Sequence, residues 1–304
     1  DESLAILREM LLEPRWDKKE YDKLMKRVVE GARSSLSSRS TGLMNASNRL
    51  RYDVNSIGHF TSADDYAKVS INDCKKYYET FISANVAKCI VVGPMNKETA
   101  VKKLQFVSEI PNKNVVVNKP VVAPELQTTQ IFGVQYADAE QSDIIIGFRT
   151  LPYDYNGDFF KNTIMNFALA GNFNSRLNLN IREDKGWTYG INGRFGANYK
   201  NLPGNYTISA GVLKRATDSA VIEIVDELKR YQTSGMTADE FAFTKSALLA
   251  SEALDYESLG QKAGYLLNLM NRGLNETIAN DRTKIIQNIS LAEINELAKT
   301  QLKL

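Results

Sequence analysis

Two side chains seven positions apart are the best candidates for chemistry in this chain. Arg182 lies in a stretch typical of a short helix, and Tyr189 follows in a stretch typical of a strand. Asn174 is placed to cap that helix, and Gly186 provides the left-handed residue that ends it. Because the chain reverses at Gly186, we expect the guanidinium and the phenol to reach one edge. Both groups can donate hydrogen bonds to a carbonyl or a developing oxyanion there.

A purely structural role for the same pair stays open on spacing alone. In that interpretation Arg182 caps the last carbonyls of its helix. Tyr189 then packs with Trp187 and Ile191 on a sheet. The spacing therefore identifies a junction between helix and strand without deciding what its side chains do.

The histidine content limits the metal chemistry of the chain. His59 is the single histidine in the sequence. A catalytic zinc site usually takes three protein ligands, two of them one helical turn apart as in HxxEH, and one histidine cannot supply such a pair. His59 also lacks a GxSxG nucleophile to serve. We therefore expect His59 to be an ordinary loop or core residue, with no cofactor bound by this chain.

Composition indicates a globular protein without an obvious charged partner. The chain has 304 residues, of which 43% are hydrophobic, and 38 Lys and Arg against 36 Asp and Glu give a net charge of +2. Charges of both signs are interleaved, which argues against nucleic acid or an anionic membrane as a partner. The apolar runs are strand-sized and too short to span a bilayer. Cys74 and Cys89 are too few for a disulfide framework.

Apolar periodicity predicts a helical first part and a mixed second part. Two helices open the chain, and a third, at Ile71–Ile82, follows the capping residue Ser70. The further predictions are a strand at Lys88–Val92, a helix at Lys97–Val107, an extended linker at Pro111–Pro124, strands at Gln130–Gln135 and Asp143–Thr150, a helix at Asp158–Leu169, strands at Trp187–Phe195 and Asn205–Val212, and three long helices to the end. Strands followed by helices favour an α+β fold with a largely antiparallel sheet.

A faint internal repeat at one constant offset, the separation of Glu20 from Glu240, predicts duplicated domains. At this offset Glu20-Tyr21 matches Glu240-Phe241, and Val69-Ser70 matches Ile289-Ser290. The repeat predicts an incomplete first α+β domain at 1–115, a linker at 116–127 and a complete second domain at 128–304. We expect the first copy to lack its opening strands, so that the chain is a fragment of a longer protein.

Three segments resemble the pitrilysin and insulinase type of zinc peptidase, a family that includes the mitochondrial processing peptidase. The first is Gly171 to Gly190, with a Gly-rich turn, Ser-Arg-Leu, Arg-Glu, Lys-Gly and an aromatic strand. Phe81 to Pro94 resembles the strand that closes a family domain, and Thr237 to Glu240 resembles its Thr-x-x-Glu helix start. The resemblance covers nearly the whole chain and implies repeated α+β domains around a clam-like chamber.

The resemblance also implies a role for the candidate pair. In the family, an Arg and a Tyr seven residues apart help to hold the substrate carbonyl opposite the zinc site, which carries the pair over to Arg182 and Tyr189. HxxEH is absent here, so we predict no bound catalytic zinc and no peptide cleavage by this chain alone. Zinc is expected in a missing part of the chain or in a homologous partner subunit, with a peptide as substrate.

Two other functions remain open at this stage. The same fold serves as an inactive structural subunit in the family, and a plain peptide-binding module is a weaker possibility. The sequence leaves localisation open, and we take a periplasmic or exported bacterial protein as the working expectation.

Overall fold

A computed structural model describes residues 2–197, 201–254 and 256–303. The first part is helical, with α1 (Glu2–Leu12), α2 (Lys18–Ser35), α3 (Arg39–Arg51), α4 (Ala63–Lys68), α5 (Ile71–Phe81) and α6 (Lys97–Lys103), the last followed by a 3₁₀ turn at Gln105–Glu109. The second part contains β1 (Gln141–Pro152), α7 (Asp158–Asn166), π-helical turns at Phe167–Gly171 and Asn178–Asp184, β2 (Thr188–Gly196) and β3 (Pro203–Leu213). It closes with α8 (Thr217–Ser234), α9 (Ala238–Leu254), α10 (Leu259–Arg272), α11 (Ile278–Asn288) and α12 (Leu291–Gln301).

Local capping explains where several helices begin. Asp17 precedes α2, and its side chain accepts hydrogen bonds from two backbone amides of the first turn. Ser70 precedes α5 and forms a reciprocal capping box with Asp73. Such side chains satisfy amides that have no partner inside the helix. The helix predicted after Ser70 is confirmed.

The offset that separates Glu20 from Glu240 recurs in the helix boundaries. Four helices follow one another twice in the same order, with at least one matching end each. α2 and α9 begin at Lys18 and Ala238, α3 and α10 begin at Arg39 and Leu259, α4 and α11 end at Lys68 and Asn288, and α5 and α12 cover Ile71–Phe81 and Leu291–Gln301. The repeat therefore extends from single residues to whole elements. The domain limits at 115 and 128 stay a prediction.

The sheet is antiparallel, with the order β1-β3-β2. Along β3 the side chains of Tyr206, Ile208, Ala210 and Val212 are buried, and those between them are more exposed. This alternation is what a strand with one covered face shows. The covered face meets α7 and α8, and α12 packs on these two helices. The predicted α+β fold with an antiparallel sheet is confirmed.

The main cluster of buried hydrophobic residues lies in the second part of the chain. Its buried members run from Ile144 to Leu302, and several, including Ile164, Leu228 and Ile294, have no exposed surface. Helices α1, α2, α3 and α5, all described in full, contain no buried residue. Helix α3 of the first part lies against β1 of the second, and Lys88 donates hydrogen bonds to Met270 and Asn271 of α10. Within the described ranges, no helix has both the length and the apolar composition to cross a bilayer.

Two predicted strands are wrong. Lys88–Val92 and Gln130–Gln135 both lie outside regular structure. A strand needs a neighbour to satisfy its backbone amides and carbonyls, and neither segment pairs with another among the described residues. Ile131 illustrates the result, because 92% of its surface is exposed. The β-branched composition of these segments favours a strand, but they have no paired neighbour among the described residues, and this decides against it.

The number of helices also differs from the prediction. Five helices follow β3 in the described residues, where three were predicted. Ser258 starts α10 through a capping box with Gln261, and Gly273 ends it with a φ of +63°. These caps separate α10 from the helices before and after it, whereas apolar periodicity alone had predicted fewer and longer helices. Helices α3 and α4 were missed because their apolar spacing is weak.

Candidate functional site

The candidate site begins at the π-helical turn Asn178–Asp184, which leads into β2. Its last turn closes through backbone bonds from Gly186 to the carbonyl of Arg182, at 3.1 Å, and from Trp187 to that of Ile181, at 3.0 Å. Gly186 has a φ of +63°, so the predicted left-handed residue is confirmed. π-helical turns are uncommon and often occur at functional sites.

The turn before this helix is organised by Asn172. Its side-chain oxygen accepts a hydrogen bond from the backbone amide of Asn174 at 2.7 Å, and its carbonyl accepts one from Ser175 at 3.2 Å. The predicted cap at Asn174 is wrong, because no side-chain cap bond precedes the π-helical turn. An Asn side chain that accepts a hydrogen bond from the amide two residues ahead forms a local turn by itself. Asn172 and Asn174 are both suited to this role, and the structure uses Asn172.

Arg182 is held in place by its neighbours. Only 17% of its side chain is exposed, and its guanidinium carbon lies 3.5 Å from the ring centroid of Phe173. A terminal nitrogen donates to the carboxylate of Glu183, whereas the buried Nε has no hydrogen-bond partner. Stacking on an aromatic face and an ion pair fix the plane of the guanidinium. The unpaired Nε is a donor in need of an acceptor.

Tyr189 is exposed because of a β-bulge. Thr188 pairs with Val212 and Ile191 pairs with Ala210, so Tyr189 and the following glycine together face one residue of β3. In regular alternation Tyr189 would point to the same side as the buried Ile191. The bulge changes that phase, and 91% of the Tyr189 surface is exposed. The structural alternative, in which Tyr189 packs with Trp187 and Ile191, therefore does not hold.

Sequence reasoning missed Asn178, which ties the π-helical turn to the strand. Its amide nitrogen donates to the carbonyl of Ile191 at 2.7 Å, and its oxygen accepts from the amide of the same residue at 3.2 Å. It also donates to the carbonyl of Asn172 at 3.1 Å. Asn178 is 5% exposed, so an amide side chain at a buried helical position was the available signal. These bonds fix the strand immediately after the bulge.

A second buried asparagine supports the same strand from α7. Asn166 donates to the carbonyl of Gly193 at 2.6 Å and accepts from the hydroxyl of Tyr206 at 2.7 Å. Burial raises the pKa of Tyr206, so its hydroxyl stays protonated and acts as the donor. A Cβ at Gly193 would lie 2.5 Å from that of Ala170, so only glycine permits this approach of helix and strand.

An ion pair joins two of the segments that carried the resemblance. Arg176 binds both carboxylate oxygens of Glu240, at 2.6 and 2.7 Å, and donates to the carbonyl of Gly235 at 2.8 Å. The hydrogen bonds to Glu240 raise the pKa of Arg176. Glu240 also closes a capping box with Thr237 at the start of α9. These contacts use the Arg176 guanidinium to hold the two segments together.

The opposite end of the π-helical turn is held to α8 by charge. Asn180 donates to the carboxylate of Glu223 at 3.1 Å, and the ammonium of Lys185 lies 3.5 Å from the same carboxylate. The hydrogen bond from Asn180, followed by the charge of Lys185, lowers the pKa of Glu223. Lys185 directly precedes Gly186, so this contact anchors the turn between Arg182 and Tyr189.

The described residues do not fit a zinc site. They contain no group of three or more His, Cys, Asp or Glu side chains arranged to hold a metal ion. His59 exposes 55% of its side chain and lies 3.4 Å from Asp65. Asp65 itself is engaged by backbone and side-chain hydrogen bonds from Ser62, which lower its pKa to about 2. No catalytic step can therefore be derived through a metal on these residues.

Comparison with known proteins agrees with this geometry. The model of the family described as the peptidase M16 inactive domain matches residues 68–248, more than half of the chain. The chain belongs to this family. The match includes α7, both π-helical turns, the sheet and most of α9, and so contains the whole candidate site.

Two curated proteins and several solved structures are similar to the chain. It is 26% identical over 239 residues to the non-peptidase homolog YmxG of Helicobacter pylori, covering 76% of this chain and 53% of that protein. It is 24% identical to the uncharacterized zinc protease YmxG of Bacillus subtilis over 182 residues, 58% of this chain and 42% of that protein. The chain thus spans about half the length of these relatives.

Among solved structures, an M16 inactive domain from Pseudomonas fluorescens matches 99% of this chain and 71% of its own, with a TM-score of 0.84 and 16% identity. A protease from Helicobacter pylori matches 99% of this chain and 74% of its own, with a TM-score of 0.82 and 15% identity. At these identities the structures establish the fold alone.

Proposed function

We propose that this chain is the substrate-binding, non-catalytic part of a zinc endopeptidase and contributes Arg182 and Tyr189 to the cleavage chamber. The observation that carries the proposal is the bulge in β2, which turns Tyr189 out of the core and into solvent. An exposed tyrosine at a bulge beside a π-helical turn has no packing role to explain it. The matching family is an inactive domain of peptidases, so peptide cleavage is the reaction to which we propose that the chain contributes.

The two side chains suit different parts of this task. The Tyr189 hydroxyl is free to approach a ligand and can donate to a peptide carbonyl or to the oxyanion that develops from it. The Arg182 guanidinium is fixed in orientation by Phe173 and Glu183, which reduces the reorganisation needed when a ligand arrives. That the Arg182 guanidinium and the Tyr189 hydroxyl lie close together stays a prediction. A zinc ion held outside this chain would supply the activated water.

A non-enzymatic alternative is favoured by one observation. The printed name of the relative from Helicobacter pylori describes a non-peptidase homolog, and the chain covers only 53% of that protein. In this alternative the chamber persists as a structural subunit, and the contact of Arg182 with Glu183 is an internal ion pair without a catalytic task.

The two functions are separated by mutating the pair in the complete assembly with its zinc-bearing half. If the peptidase proposal holds, Arg182→Ala or Tyr189→Phe should lower turnover by roughly tenfold to a thousandfold, the range for loss of one oxyanion donor. Peptide cleavage rates and melting temperature should be measured together. Tyr77→Phe is the matched control, because Tyr77 is also exposed but lies on α5.

Each outcome has a defined meaning. A loss of turnover with an unchanged melting temperature, confined to the Arg182 and Tyr189 variants, supports the proposal. Full activity in both variants, or equal losses in Tyr77→Phe, supports the non-enzymatic alternative instead. If no part of the complete assembly contains HxxEH, the peptidase proposal is contradicted.

A further inference from the structure

The sheet face opposite the core carries a pair of arginines around one hydroxyl. Arg194 of β2 and Thr207 of β3 are direct cross-strand partners, so their side chains project from the same face. That face is the one opposite the core, because the buried residues of β2 and β3 alternate with these positions. The Arg51 guanidinium donates to the Thr207 hydroxyl at 2.9 Å. Thr207 therefore lies beside both arginines, whose charges are close enough to interact.

A second arginine of α3 shows how such a charge is normally balanced. Arg39 lies at the other end of α3, with its Nε 3.5 Å from the carboxylate of Asp143 and a terminal nitrogen 2.9 Å from the carbonyl of Gln141. In the part of the chain that the structure describes, neither Arg51 nor Arg194 has a carboxylate partner. Helix α3 thus contacts the sheet through two arginines. Arg39 is neutralised by a carboxylate, whereas Arg51 is bonded to a hydroxyl.

The charge of this pair carries an electrostatic cost. Burial lowers the pKa of Arg51, Tyr52 partly offsets the effect, and the nearby charge of Arg194 lowers the pKa further. An arginine side chain carries a positive charge at neutral pH. Arg51 is the last residue of α3, whose C-terminal dipole is equivalent to about half a negative charge. The dipole therefore offsets only part of the positive charge of the two arginines.

We propose that Arg51 and Arg194 form a binding site for a carboxylate side chain of a peptide ligand. A carboxylate has two oxygens and can accept hydrogen bonds from both guanidinium groups at once. It would also remove the repulsion between them. Arg194 is exposed and accessible to such a group, and the half-buried Arg51 presents the second set of donors.

The choice of a peptide rests on the proposed function, since Tyr189 lies on the same strand. Arg194 follows Tyr189 by five residues, which is about 16 Å at the ordinary rise of a strand. An extended peptide has the same rise. A peptide laid along β2 with its reacting carbonyl at Tyr189 therefore brings a side chain about five residues away to Arg194. We assign the site a preference for Asp or Glu at that distance from the cleaved bond.

The binding test uses the full chain and two fluorescein-labelled peptides of about ten residues. The peptides are Ala- and Ser-based and differ only in one central residue, Glu in the first and Gln in the second. Fluorescence anisotropy should show that the Glu peptide binds about tenfold tighter than the Gln peptide, because hydrogen bonds between charged groups are stronger than those to a neutral amide. The measurement is made at low salt, since salt screens the charges and weakens the pair. Arg194→Gln and Arg51→Gln should each abolish that preference.

Arg39→Gln is the matched control, because it makes the same charge change on α3 at an arginine already paired with Asp143. It should leave the preference for Glu intact. Equal binding of both peptides to the unmodified chain overturns the proposal, as does an equal loss in Arg39→Gln. Inorganic phosphate that competes as well as the Glu peptide, at equal concentration, overturns the assignment to a peptide carboxylate.

Arg194 is exposed, so Arg194→Gln is expected to fold normally even if Arg51→Gln loosens α3, and thermal melting of each variant checks this. The measurement needs no turnover. A Glu preference that depends on Arg194 supports the site even if Arg182→Ala retains full peptidase activity, which would contradict the proposed function alone. Loss of turnover in Arg182→Ala without any Glu preference would contradict the carboxylate site alone.

Discussion

Two sets of four helices in this molecule have the same order and matching ends but different surroundings. The first set is α2 to α5 and the second is α9 to α12, related by the constant offset described above. The first set buries one residue, Ala63, although all of its residues are described. The second set supplies buried side chains such as Leu269, Ile286 and Ile294. Equivalent helices can therefore form with or without a core beneath them.

The difference teaches that helix formation and helix burial have separate causes here. Equivalent residues precede the helices in both sets, with Asp17 matching Thr237 and Ser70 matching Ser290. Caps of this kind act on the first turn and need no tertiary partner. Burial requires a covering layer, and the second set has α7 and α8 with the sheet behind them. The first set has no equivalent sheet among the described residues.

The comparison is tested most strongly by truncating one apolar side chain in each set. Leu297 of α12 is 7% exposed, and Tyr77 occupies the matching position of α5 with 63% exposed. Leu297→Ala should lower the free energy of unfolding by about 2–4 kcal/mol, because it removes buried surface and leaves a cavity. Tyr77→Ala should change it by about 0.5 kcal/mol, since little apolar surface is withdrawn from water.

Urea unfolding followed by circular dichroism measures both variants. Equal losses of stability would mean that the helices of the first set are covered in solution by something other than the described residues. That result would end the contrast between the two sets.

The second test compares matching carboxylates. Glu240 forms the bidentate ion pair with Arg176, whereas Glu20 at the equivalent position of α2 pairs, among the described residues, with the exposed Lys23. Glu240→Gln should lower the free energy of unfolding by about 2 kcal/mol, because Arg176 loses its bidentate partner and keeps only the more distant Glu227, at 3.8 Å among the described residues. Glu20→Gln should cost less than about 0.5 kcal/mol, the usual value for an exposed pair.

The ion pair of Glu240 also predicts a pH dependence. Burial raises its pKa, but the hydrogen bonds from Arg176 and Thr237 outweigh burial, so the folded pKa is below the ordinary value. A carboxyl group of this kind stabilises the fold above its unfolded pKa, about 4.3, and that stabilisation is lost as pH falls through the lower folded pKa. Unfolding curves between about pH 6 and pH 3 should therefore be less pH-dependent for Glu240→Gln than for the unmodified chain. An identical pH dependence would contradict the assignment.

The smallest difference between the two sets is expected at the helix caps, where both should lose the same amount of stability. Ser70 and Ser290 both lie on the surface, and each hydroxyl accepts a hydrogen bond from a backbone amide of the first turn, at 3.2 Å. Ser70→Ala and Ser290→Ala should each lower the free energy of unfolding by about 1 kcal/mol. Hydrogen exchange of the first-turn amides should rise in both. A cost at one cap only would show that the helix starts are not locally determined.

What the sequence alone determined depends on short-range chemistry. The helix after Ser70, the left-handed Gly186 and the strand at β1 were all predicted and are confirmed, and the internal repeat recurs in the helix boundaries. The family was also visible in the segment from Gly171 to Gly190, and the family match includes it. Caps, glycines and motif spacing act within a few residues, so no distant contact is needed to recognise them.

What only the tertiary structure decided depends on neighbours distant in the chain. Gln130–Gln135 has strand composition but no paired neighbour among the described residues, so it is not a strand. The bulge that exposes Tyr189 arises from its register with β3, which no local pattern specifies. Asn178 is bonded to a residue 13 positions away, and Arg51 meets Thr207 across 156 positions. Sequence gives the side chains of such a site, but their contacts depend on pairing and packing between distant segments.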